Sequence, residues 1–534
     1  MKKRKMLALA LSGIFVITAF GACGAPTDVA QETTGTGTQA TTAPQAQAPT
    51  APQGAAPGEV TGRGMTLAIN AETPSIAPAR HGSLIAHWKN ILTHNGIFRL
   101  DYNMNPTMDL VSDWRPISDT LFEFTLHEGI MFHNGEELTA YDVVASIYFV
   151  RTFPEGVANH GSVVGAEVVD RYTFILDTGV PNALMTFELA HQANFIMPKS
   201  LIESGHDFTL EPIGTGPFYF YEWNFGDSLV FNRFADYFDS ERTAHLDYII
   251  WRVIPEGAAR TIALESGEID YVIDVAFPDI PRLDANDNIT VLYQPSLTYN
   301  YLLLNHNRPQ FQSVYVRRAL GMALDKEAMV LAAYDGWGIP VWEMMPMALA
   351  GSSAEGTRNF DPEGAVALLA EHNIDPGTLS FDMIAYSEEK RRMAEVVQSN
   401  LADIGIETTI SMIDFTAWMT VTGTGDYDAA FAAFTSGNIF AFLRSTMHID
   451  FIGSQNRSGV YHRELSDIIS QAVATIDEGP RLALMEEASR IANEYAVWVP
   501  TNMNVLVRAF NSSLVTPELA PNGFMFFNMM YWSN

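Results

Sequence analysis

The sequence predicts a mixed α/β protein in which two or more lobes each contain a mixed β-sheet. Strand-like patterns of alternating hydrophobic residues are interleaved with helical patterns, but the two do not alternate strictly, which argues against a single barrel. The 534 residues are 47% hydrophobic and 17% charged, a composition that can bury cores in two to four structural units. The sequence shows no internal repeat.

The first elements of the folded part are two strands and a helix. Strands are expected at residues 66–72 and 120–127, and in the second one phenylalanine and leucine alternate with polar residues, so that one face is buried. Thr139 and Asp142 have the spacing of a capping box, and hydrophobic residues follow at helical intervals. This pattern predicts a helix of about three turns after Thr139.

Six more helices and four more strands are predicted further along the chain. The helices are expected at residues 256–266, 314–334, 361–372, 387–404, 464–476 and 481–494. The strands are expected at residues 248–254, 269–275, 406–413 and 496–507. The wide hydrophobic stripe of the 464–476 helix indicates packing against a core.

The balance of charged residues excludes several classes of function. Lys and Arg number 31 and Asp and Glu number 62, so the formal net charge is −31. Nucleic acid is excluded as a partner because its phosphate backbone is bound mainly by Lys and Arg. The single cysteine cannot form an internal disulfide or a metal site built on several thiolates. Core packing must therefore hold the fold together.

The N-terminus has the layout of an export signal. Four basic residues at positions 2–5 precede a hydrophobic run over residues 6–20, which two small residues and Cys23 follow. The run is shorter than the about 20 residues that span a bilayer, which argues against the alternative of an uncleaved membrane anchor. The last four residues up to Cys23 resemble the bacterial lipobox, in which the chain is cut before a lipidated cysteine. We therefore expect residues 1–22 to be a lipoprotein signal peptide and Cys23 to be the lipidation site.

Residues 23–62 are expected to form a disordered tether. After Cys23 this segment is rich in Ala, Thr, Gln, Pro and Gly, and it contains no aromatic residue and no Lys or Arg. Its reach is about 35 Å. The lipid on Cys23 would thus anchor the exported body to the outer face of the cytoplasmic membrane, and the tether would let the body move above it. Loss of residues 1–22 changes the net charge from −31 to −35. Such a charge opposes contact with anionic lipid, so the lipid anchor is the expected membrane contact.

Known catalytic signatures are missing from the sequence. It contains no phosphate-binding P-loop, no His-Glu-x-x-His zinc motif and no Gly-x-Ser-x-Gly elbow. Residues 214–217 lack the third glycine of a dinucleotide-binding loop and are interpreted as a turn. His87 and His94 are seven positions apart, which is not the one-turn spacing of a shared ligand face. We expect no enzymatic activity, no cofactor and no metal site.

Five groups of residues, taken in order, resemble the signature of a known family. They are Trp114 with residues 122–144; residues 212–218 with Trp223 and 236–238; residues 258–270; Asn305 with residues 316–327; and residues 360–362 with Ala365, Leu368 and Leu369. In these motifs the chain resembles the family 5 extracellular solute-binding proteins of ABC importers, the receptors for dipeptides, oligopeptides or nickel. The resemblance is expected to extend over nearly all of residues 65–510.

The resemblance implies a periplasmic-binding-protein-like fold with two lobes and a hinged ligand cleft. Lobe I would contain residues 63–305 and the tail 499–534, and lobe II would contain residues 307–498. Contacts to both lobes would be complete only in the closed form, so ligand binding would shift the protein toward it. The partners implied are a peptide or peptide-like solute and the importer's permease, and the receptor is expected to be a monomer.

The resemblance also suggests which residues contact the solute. The candidates are His81, Trp88, Tyr299, Tyr301, Trp418, Thr435, Ser436, Gly437, Asn438 and Arg444. For the aromatic residues and His81, core or hinge packing is the alternative. In peptide-binding relatives the loop at 435–438 carries an Asp that pairs with the ligand's amino group, and this carboxylate is missing here. Asn438 would then accept a hydrogen bond from an ammonium group, and Arg444 either binds a carboxylate or lies on the surface.

Two other functions stay open on the sequence alone. One is a secreted hydrolase that acts on cell-wall or peptide substrates through carboxylates that the sequence does not identify. The other is a nickel or metal-chelate receptor on the same scaffold, which needs histidine or aromatic groups in the cleft.

Overall fold

The computed structural model describes residues 62–533 apart from 74, 79–83, 154–162, 348, 436 and 438. The predicted signal peptide, Cys23 and residues 24–61 of the tether lie outside the described residues, as do His81, Ser436 and Asn438. Within the described part of the chain, no helix combines the length and the apolar character that crossing a bilayer requires.

Helices and strands are interleaved along the described chain, as the sequence predicts. The helices are α1 Leu84–Thr93, α2 Ala140–Val150, α3 Met185–Leu189, α4 Lys199–Ser204, α5 Gly257–Glu265, α6 Ile280–Asp284, α7 Pro309–Gln312, α8 Val314–Ala323, α9 Lys326–Tyr334, α10 Pro362–Glu371, α11 Glu388–Asp403, α12 Phe415–Thr424, α13 Ile439–Met447, α14 Arg463–Ala474 and α15 Glu478–Tyr495. The strands are β1 Met65–Ile69, β2 Phe98–Leu100, β3 Pro106–Met108, β4 Val111–Pro116, β5 Leu121–Leu126, β6 Gly165–Val168, β7 Thr173–Asp177, β8 Phe218–Asn224, β9 Ser228–Arg233, β10 Tyr248–Val253, β11 Tyr271–Val272, β12 Ile289–Leu304, β13 Gly338–Pro340, β14 Ser380–Ala385, β15 Glu407–Met412, β16 Ala429–Thr435, β17 Val499–Asn511, β18 Leu514–Val515 and β19 Tyr531–Trp532.

The strands form one large sheet and three small ones. The large sheet has the order β15-β14-β16-β12-β17-β11-β1-β10-β9-β8, and β13 pairs with β17 beside this path. It is a mixed sheet, because β1 is parallel to β10 and β11 while β12 is antiparallel to β16 and β17. The small sheets are β4-β5-β7-β6, β2-β3 and β18-β19. The predicted mixed α/β architecture is therefore confirmed.

Two long strands, β12 and β17, join the halves of the large sheet. Their antiparallel register shifts between Pro295 and Tyr299. Beyond the shift, β12 also pairs with β16 over Thr298–Leu304. At its other end β17 pairs with β11 through Ala509 and Phe510. Both strands thus run from one half of the fold into the other.

Each half of the fold has its own hydrophobic core, and a third cluster joins them. One core contains Trp251 with residues of β1, β9 and β10. A second core contains Phe311 and Phe381 with residues of α8 and α11. The third cluster includes Phe124 of β5 as well as Trp498 just before β17. The two halves are therefore packed against each other in this structure.

Local capping chemistry explains the helix starts that the sequence predicts. At the start of α2, the Asp142 carboxylate accepts hydrogen bonds from the Thr139 N–H and hydroxyl at 2.8 and 2.7 Å. At the start of α10, Asp361 accepts a hydrogen bond from the Gly364 N–H at 2.8 Å, and Pro362 occupies the first turn. These contacts lie within four residues, which is why a sequence pattern predicts them.

The single helix predicted at residues 314–334 is wrong, because the structure has two helices there. α8 ends at Ala323 and α9 starts at Lys326. Between them Asp325 has an extended backbone, and its carboxylate accepts a hydrogen bond from the Ala328 N–H at 2.9 Å. The aspartate therefore starts a new helix instead of continuing the old one.

Three predicted strands have bounds that differ from the structure by more than one residue at an end, and the first of them, predicted at 66–72, is Met65–Ile69. The strand predicted at residues 269–275 is only Tyr271–Val272. The strand predicted at 496–507 starts at Val499 and continues to Asn511, because β12 and β11 supply distant pairing partners. Residues 214–217 do not open a helix, and β8 follows them. A Cβ on Gly216 would lie 2.3 Å from the Leu92 carbonyl oxygen, so this turn packs directly against the end of α1.

Candidate functional site

A cavity of about 430 Å³ lies between residues from the two halves of the chain. Its described lining is His87, Leu100, Met104, Phe187, Ala190, His191, Gln192, Phe434, Thr435, Gly437, Ala441, Asn522 and Phe524. The wall from the N-terminal half comes from α1, the β2–β3 hairpin and the segment around α3. The C-terminal tail supplies Asn522 and Phe524, and β16 and the start of α13 supply the opposite wall. We call this cavity the cleft.

Helix α1 directs two neighbouring residues to different surroundings. His87 lines the cleft, and its ring stacks on Phe524 with 3.7 Å between centroids. Trp88 instead packs in a core with Trp251, 6.4 Å away between ring centroids. The Trp88 indole N–H donates to the Gly523 carbonyl at 2.8 Å. Successive helix residues point about 100° apart, so His87 takes the cleft position beside the predicted Trp88.

Two imidazoles that line the cleft, the buried His87 and the partly exposed His191, are uncharged at neutral pH. Burial, with a smaller contribution from nearby His191, lowers the pKa of His87 to about 3. Burial alone lowers the pKa of His191 to about 4. His191 Nδ1 accepts a hydrogen bond from the Ala193 N–H at 3.2 Å, so the neutral ring carries its hydrogen on Nε2. His191 is thus a neutral donor in the cleft wall.

The two halves touch at the tip of the β2–β3 hairpin. Met104 is buried in this tip with a backbone φ of +66°, a conformation that is uncommon for residues other than glycine. It faces Gly437, where a Cβ atom would lie 2.2 Å from the Met104 methyl carbon. The hairpin can approach Gly437 this closely because position 437 has no side chain.

The opposite wall of the cleft is neutral as well. The Thr435 hydroxyl shares a hydrogen bond of 2.8 Å with the Thr298 hydroxyl across β16 and β12. Phe434 and Ala441 add apolar surface. Among the described residues that line the cleft there is no Asp, Glu, Lys or Arg. The cleft therefore offers aromatic surface and neutral hydrogen-bonding groups.

Like Trp88, the other three predicted aromatic residues lie outside the described cleft lining. Tyr299 is fully buried against Phe442, with its hydroxyl unpaired among the described residues. Tyr301 stacks on Trp498 with 4.3 Å between ring centroids. Burial raises the pKa of both tyrosines above the usual value. Trp418 is also buried and stacks on Phe415.

Arg444 lines a different cavity, of about 250 Å³. Its guanidinium lies 3.9 Å from the Glu188 carboxylate and 5.5 Å from the centre of the Phe451 ring. Of the ten predicted ligand residues, the structure thus brings Thr435 and Gly437 into the cleft. Trp88, the two tyrosines, Trp418 and Arg444 lie elsewhere, and the remaining three are outside the described residues.

Sequence reasoning missed His87, His191, Gln192, Asn522 and Phe524. They come from three distant parts of the chain, and no motif spacing connects them. The one local signal is the pair His191 and Gln192, two polar residues that follow the short helix α3 and Ala190. In the described ranges no group of three or more His, Cys, Asp or Glu side chains is arranged to hold a metal ion.

Comparison with known proteins gives consistent matches. Residues 105–442 match the sequence model of "Bacterial extracellular solute-binding proteins, family 5 Middle". The glutathione-binding protein GsiB of Salmonella typhi is 26% identical over 456 residues, which cover 81% of this chain and 88% of GsiB.

Solved structures show the same fold. HbpA2 from Haemophilus parasuis is similar with a TM-score of 0.79 and 23% identity, over 88% of this chain and 100% of that one. The periplasmic binding protein DppA from Helicobacter pylori, in complex with the peptide STSA, has a TM-score of 0.76 and 23% identity, over 88% and 98% of the two chains. At these identities the likeness concerns the fold, and it confirms the predicted two-lobed periplasmic-binding-protein-like class.

Proposed function

Because this chain belongs to the family 5 bacterial extracellular solute-binding proteins of ABC importers, we propose that it is the exported, lipid-anchored receptor for a peptide or peptide-like solute. The observation that carries this proposal is the cleft, which residues from both halves of the chain line together. A solute in the cleft contacts both halves at once, so its binding energy favours the closed arrangement. The permease would recognise that closed form.

The chemistry of the cleft supports a peptide-like solute. A volume of about 430 Å³ lies within the usual range for small-molecule sites. Neutral groups such as the Thr435 hydroxyl, the Asn522 amide and the His191 ring suit the amide groups of a peptide backbone. Phe187, Phe434 and Phe524 offer apolar walls that accept varied side chains. The names of relatives point the same way, since they include a glutathione-binding protein and a receptor in complex with a peptide.

The proposed lobes are residues 63–305 with 499–534, and residues 307–498. The proposed crossings between the lobes lie just after the end of β12 and at the start of β17, and the pairing of Leu302 with Val499 supports them because it brings the two crossings side by side. The contact between Met104 and Gly437 would then belong to the closed form. Hinge motion would separate these two residues and open the cleft.

The proposed anchor is a lipid on Cys23, followed by the tether. Such an anchor would hold a monomeric receptor at the outer face of the cytoplasmic membrane, within reach of its permease. Stable anchoring needs two or more acyl chains, which lipoprotein processing supplies. Size-exclusion chromatography of the Cys23→Ala protein tests whether the receptor is a monomer in solution.

The decisive experiment is a thermal-shift and calorimetry screen of the purified protein, combined with mass spectrometry of any small molecule released on denaturation. The panel contains peptides, opines, glycosides and metal chelates. We expect stabilisation by peptides and a peptide-like mass among the released molecules. No stabilisation by any member would contradict the proposal. Turnover of peptidoglycan fragments would favour the hydrolase, and co-purified nickel would favour the metal-chelate receptor.

A further inference from the structure

A second, smaller cavity lies beside the cleft, and its lining contains the charged residues Arg99, Arg242 and Asp109. It measures about 70 Å³ and shares His87, Leu100, Ala190 and Phe524 with the cleft lining. Arg99 of β2 contributes to its wall, with its side chain 32% exposed. A space of this size holds a small group such as a carboxylate or a few waters, and not a whole solute. It is therefore a side chamber of the cleft.

The Arg99 guanidinium has no strong partner in the described part of the protein. Its Nε is buried and makes no hydrogen bond among the described residues. The nearest carboxylate is Asp109, whose Oδ1 lies 3.9 Å from Arg99 Nε. That distance is too long for a hydrogen bond, so Arg99 is paired weakly at best.

The acidic groups around Arg99 are already paired with other donors. Asp109 Oδ1 accepts a hydrogen bond of 2.6 Å from Arg242. Asp109 Oδ2 accepts from the Asn95 amide at 3.0 Å and from the Gly96 N–H at 3.2 Å. Asp239 is bound by the same Arg242 through its Nε, also at 2.6 Å. The buried network thus satisfies one arginine, Arg242, and offers Arg99 no hydrogen-bond acceptor from the residues that the structure describes.

An arginine in this position gains from an anion. Burial, followed by repulsion from Arg242, lowers the pKa of Arg99, which means that its surroundings disfavour the charge. A carboxylate would compensate that charge and would match the planar guanidinium with two parallel hydrogen bonds. The cleft lining itself offers no charged side chain among its described residues, so the chamber is where an ionised group of the solute finds a cation.

We propose that Arg99 binds an ionised carboxylate of the solute in the side chamber, while the rest of the solute occupies the cleft. This inference rests on the proposed function and names the solute class: a peptide-like acid with a free carboxylate, either at its C-terminus or on a side chain. Recognition at this chamber fixes one end of the solute. The neutral cleft then accepts the remainder.

The test compares peptide acids with their amides. Trialanine and trileucine, each as the free acid and as the C-terminal amide, are titrated by calorimetry against the purified wild-type protein and against Arg99→Gln. Ala-Asp-Ala amide and Ala-Asn-Ala amide show whether a side-chain carboxylate substitutes for the terminal one. Arg115→Gln is the matched control, because Arg115 is 70% exposed, pairs with Glu123 and lines neither cavity.

The expected loss follows from one charge-assisted contact. Wild-type affinity for the free acid should exceed that for the amide by about tenfold to a hundredfold, and Arg99→Gln should lower acid affinity to that of the amide. Arg99→Lys keeps the charge but loses the two parallel hydrogen bonds, so it should fall between these values. If Arg99→Gln fails to fold, the acid affinity of Arg99→Lys tests the same contact. Equal wild-type affinity for acid and amide, or unchanged acid affinity in Arg99→Gln, overturns the proposal.

Failure of the peptide function is distinguishable from failure of the subsite. If no peptide binds either protein, the proposed function is wrong. Binding of small anions then tests separately whether Arg99 forms a carboxylate site. Acetate, compared with acetamide and with chloride at equal ionic strength, should raise the unfolding temperature of the wild type and not of Arg99→Gln. An acetate effect of equal size in both proteins, or none in the wild type, overturns the subsite.

Discussion

We expect closure of the cleft to depend on the missing side chain at position 437. A Cβ atom on Gly437 would lie 2.2 Å from the Met104 methyl carbon, which is far inside van der Waals contact. The next atoms of Met104 would be 3.4 and 3.5 Å away, an ordinary packing distance. In Gly437→Ala, the end of one flexible side chain must therefore move for the halves to meet.

The size of the effect follows from that movement. Turning the Met104 side chain away from its rotamer costs about 0.5–1.5 kcal/mol. This cost applies only where the halves touch, so it should weaken solute binding by about twofold to twelvefold. The unfolding temperature of the unliganded protein should stay unchanged, because the open form carries no clash. Gly479→Ala is the matched control, since a Cβ there meets no atom within 4 Å.

A double-mutant cycle isolates this contact. Met104→Ala removes the methyl group that the new Cβ would strike, so Gly437→Ala should cost little in that background. Calorimetry on the wild type, both single variants and the double variant measures the coupling, expected at about 0.5–1.5 kcal/mol. If the two effects simply add, or if Gly437→Ala binds as tightly as the wild type, the assignment of this contact to the closed form is incorrect.

Three further changes test other parts of the molecule. Burial lowers the pKa of His306 to about 3, so between pH 6.5 and pH 3 this histidine takes up a proton only in the unfolded chain. On going from neutral pH to pH 5, the free energy of unfolding should therefore fall by about 2 kcal/mol more in the wild type than in His306→Gln, as measured by urea unfolding. An equal fall in both proteins would refute this. Arg260 donates hydrogen bonds to the carbonyls of Ile254, Pro255 and Asp274. Arg260→Leu should therefore lower the free energy of unfolding by about 2–4 kcal/mol without changing solute affinity. A loss of affinity alone would contradict this structural role. Cys23→Ala should move the protein from the membrane to the soluble fraction with an unchanged unfolding temperature, and retention in the membrane would refute lipid attachment.

Features governed by nearby residues were predictable from the sequence. The start of α10 depends on Asp361 and Pro362, which lie next to the helix that they begin. The length of β17 was not predictable in the same way, because its last residues pair with β11 and β12, more than two hundred positions away. The amphipathic pattern of a strand shows that one face is buried, but it does not show which distant strand lies alongside it.

The same limit explains why several predicted site residues lie outside the cleft. Tyr299 and Tyr301 lie on one face of β12, as their spacing of two requires, and that face packs against Phe442 and Trp498. The sequence shows that the two side chains share an environment without showing whether that environment is a core or a cleft. On α1, His87 lines the cleft whereas its neighbour Trp88 packs in a core. Only the packing of the tail, with Phe524 on His87, decides which residue meets the cleft.

The distribution of charge in the site bears on how one receptor accommodates different solutes. The described cleft lining is neutral, whereas Arg99 in the adjoining chamber is a cation whose buried Nε has no hydrogen-bond acceptor within the described part of the chain. Neutral hydrogen-bonding and aromatic surfaces discriminate weakly among side chains, because no ion pair is gained or lost on exchange. A charged anchor discriminates strongly, because a solute without a carboxylate leaves it unpaired. If Arg99 is that anchor, the receptor selects an ionised end of the solute and tolerates variation elsewhere, so amidation should cost more affinity than exchange of any neutral side chain.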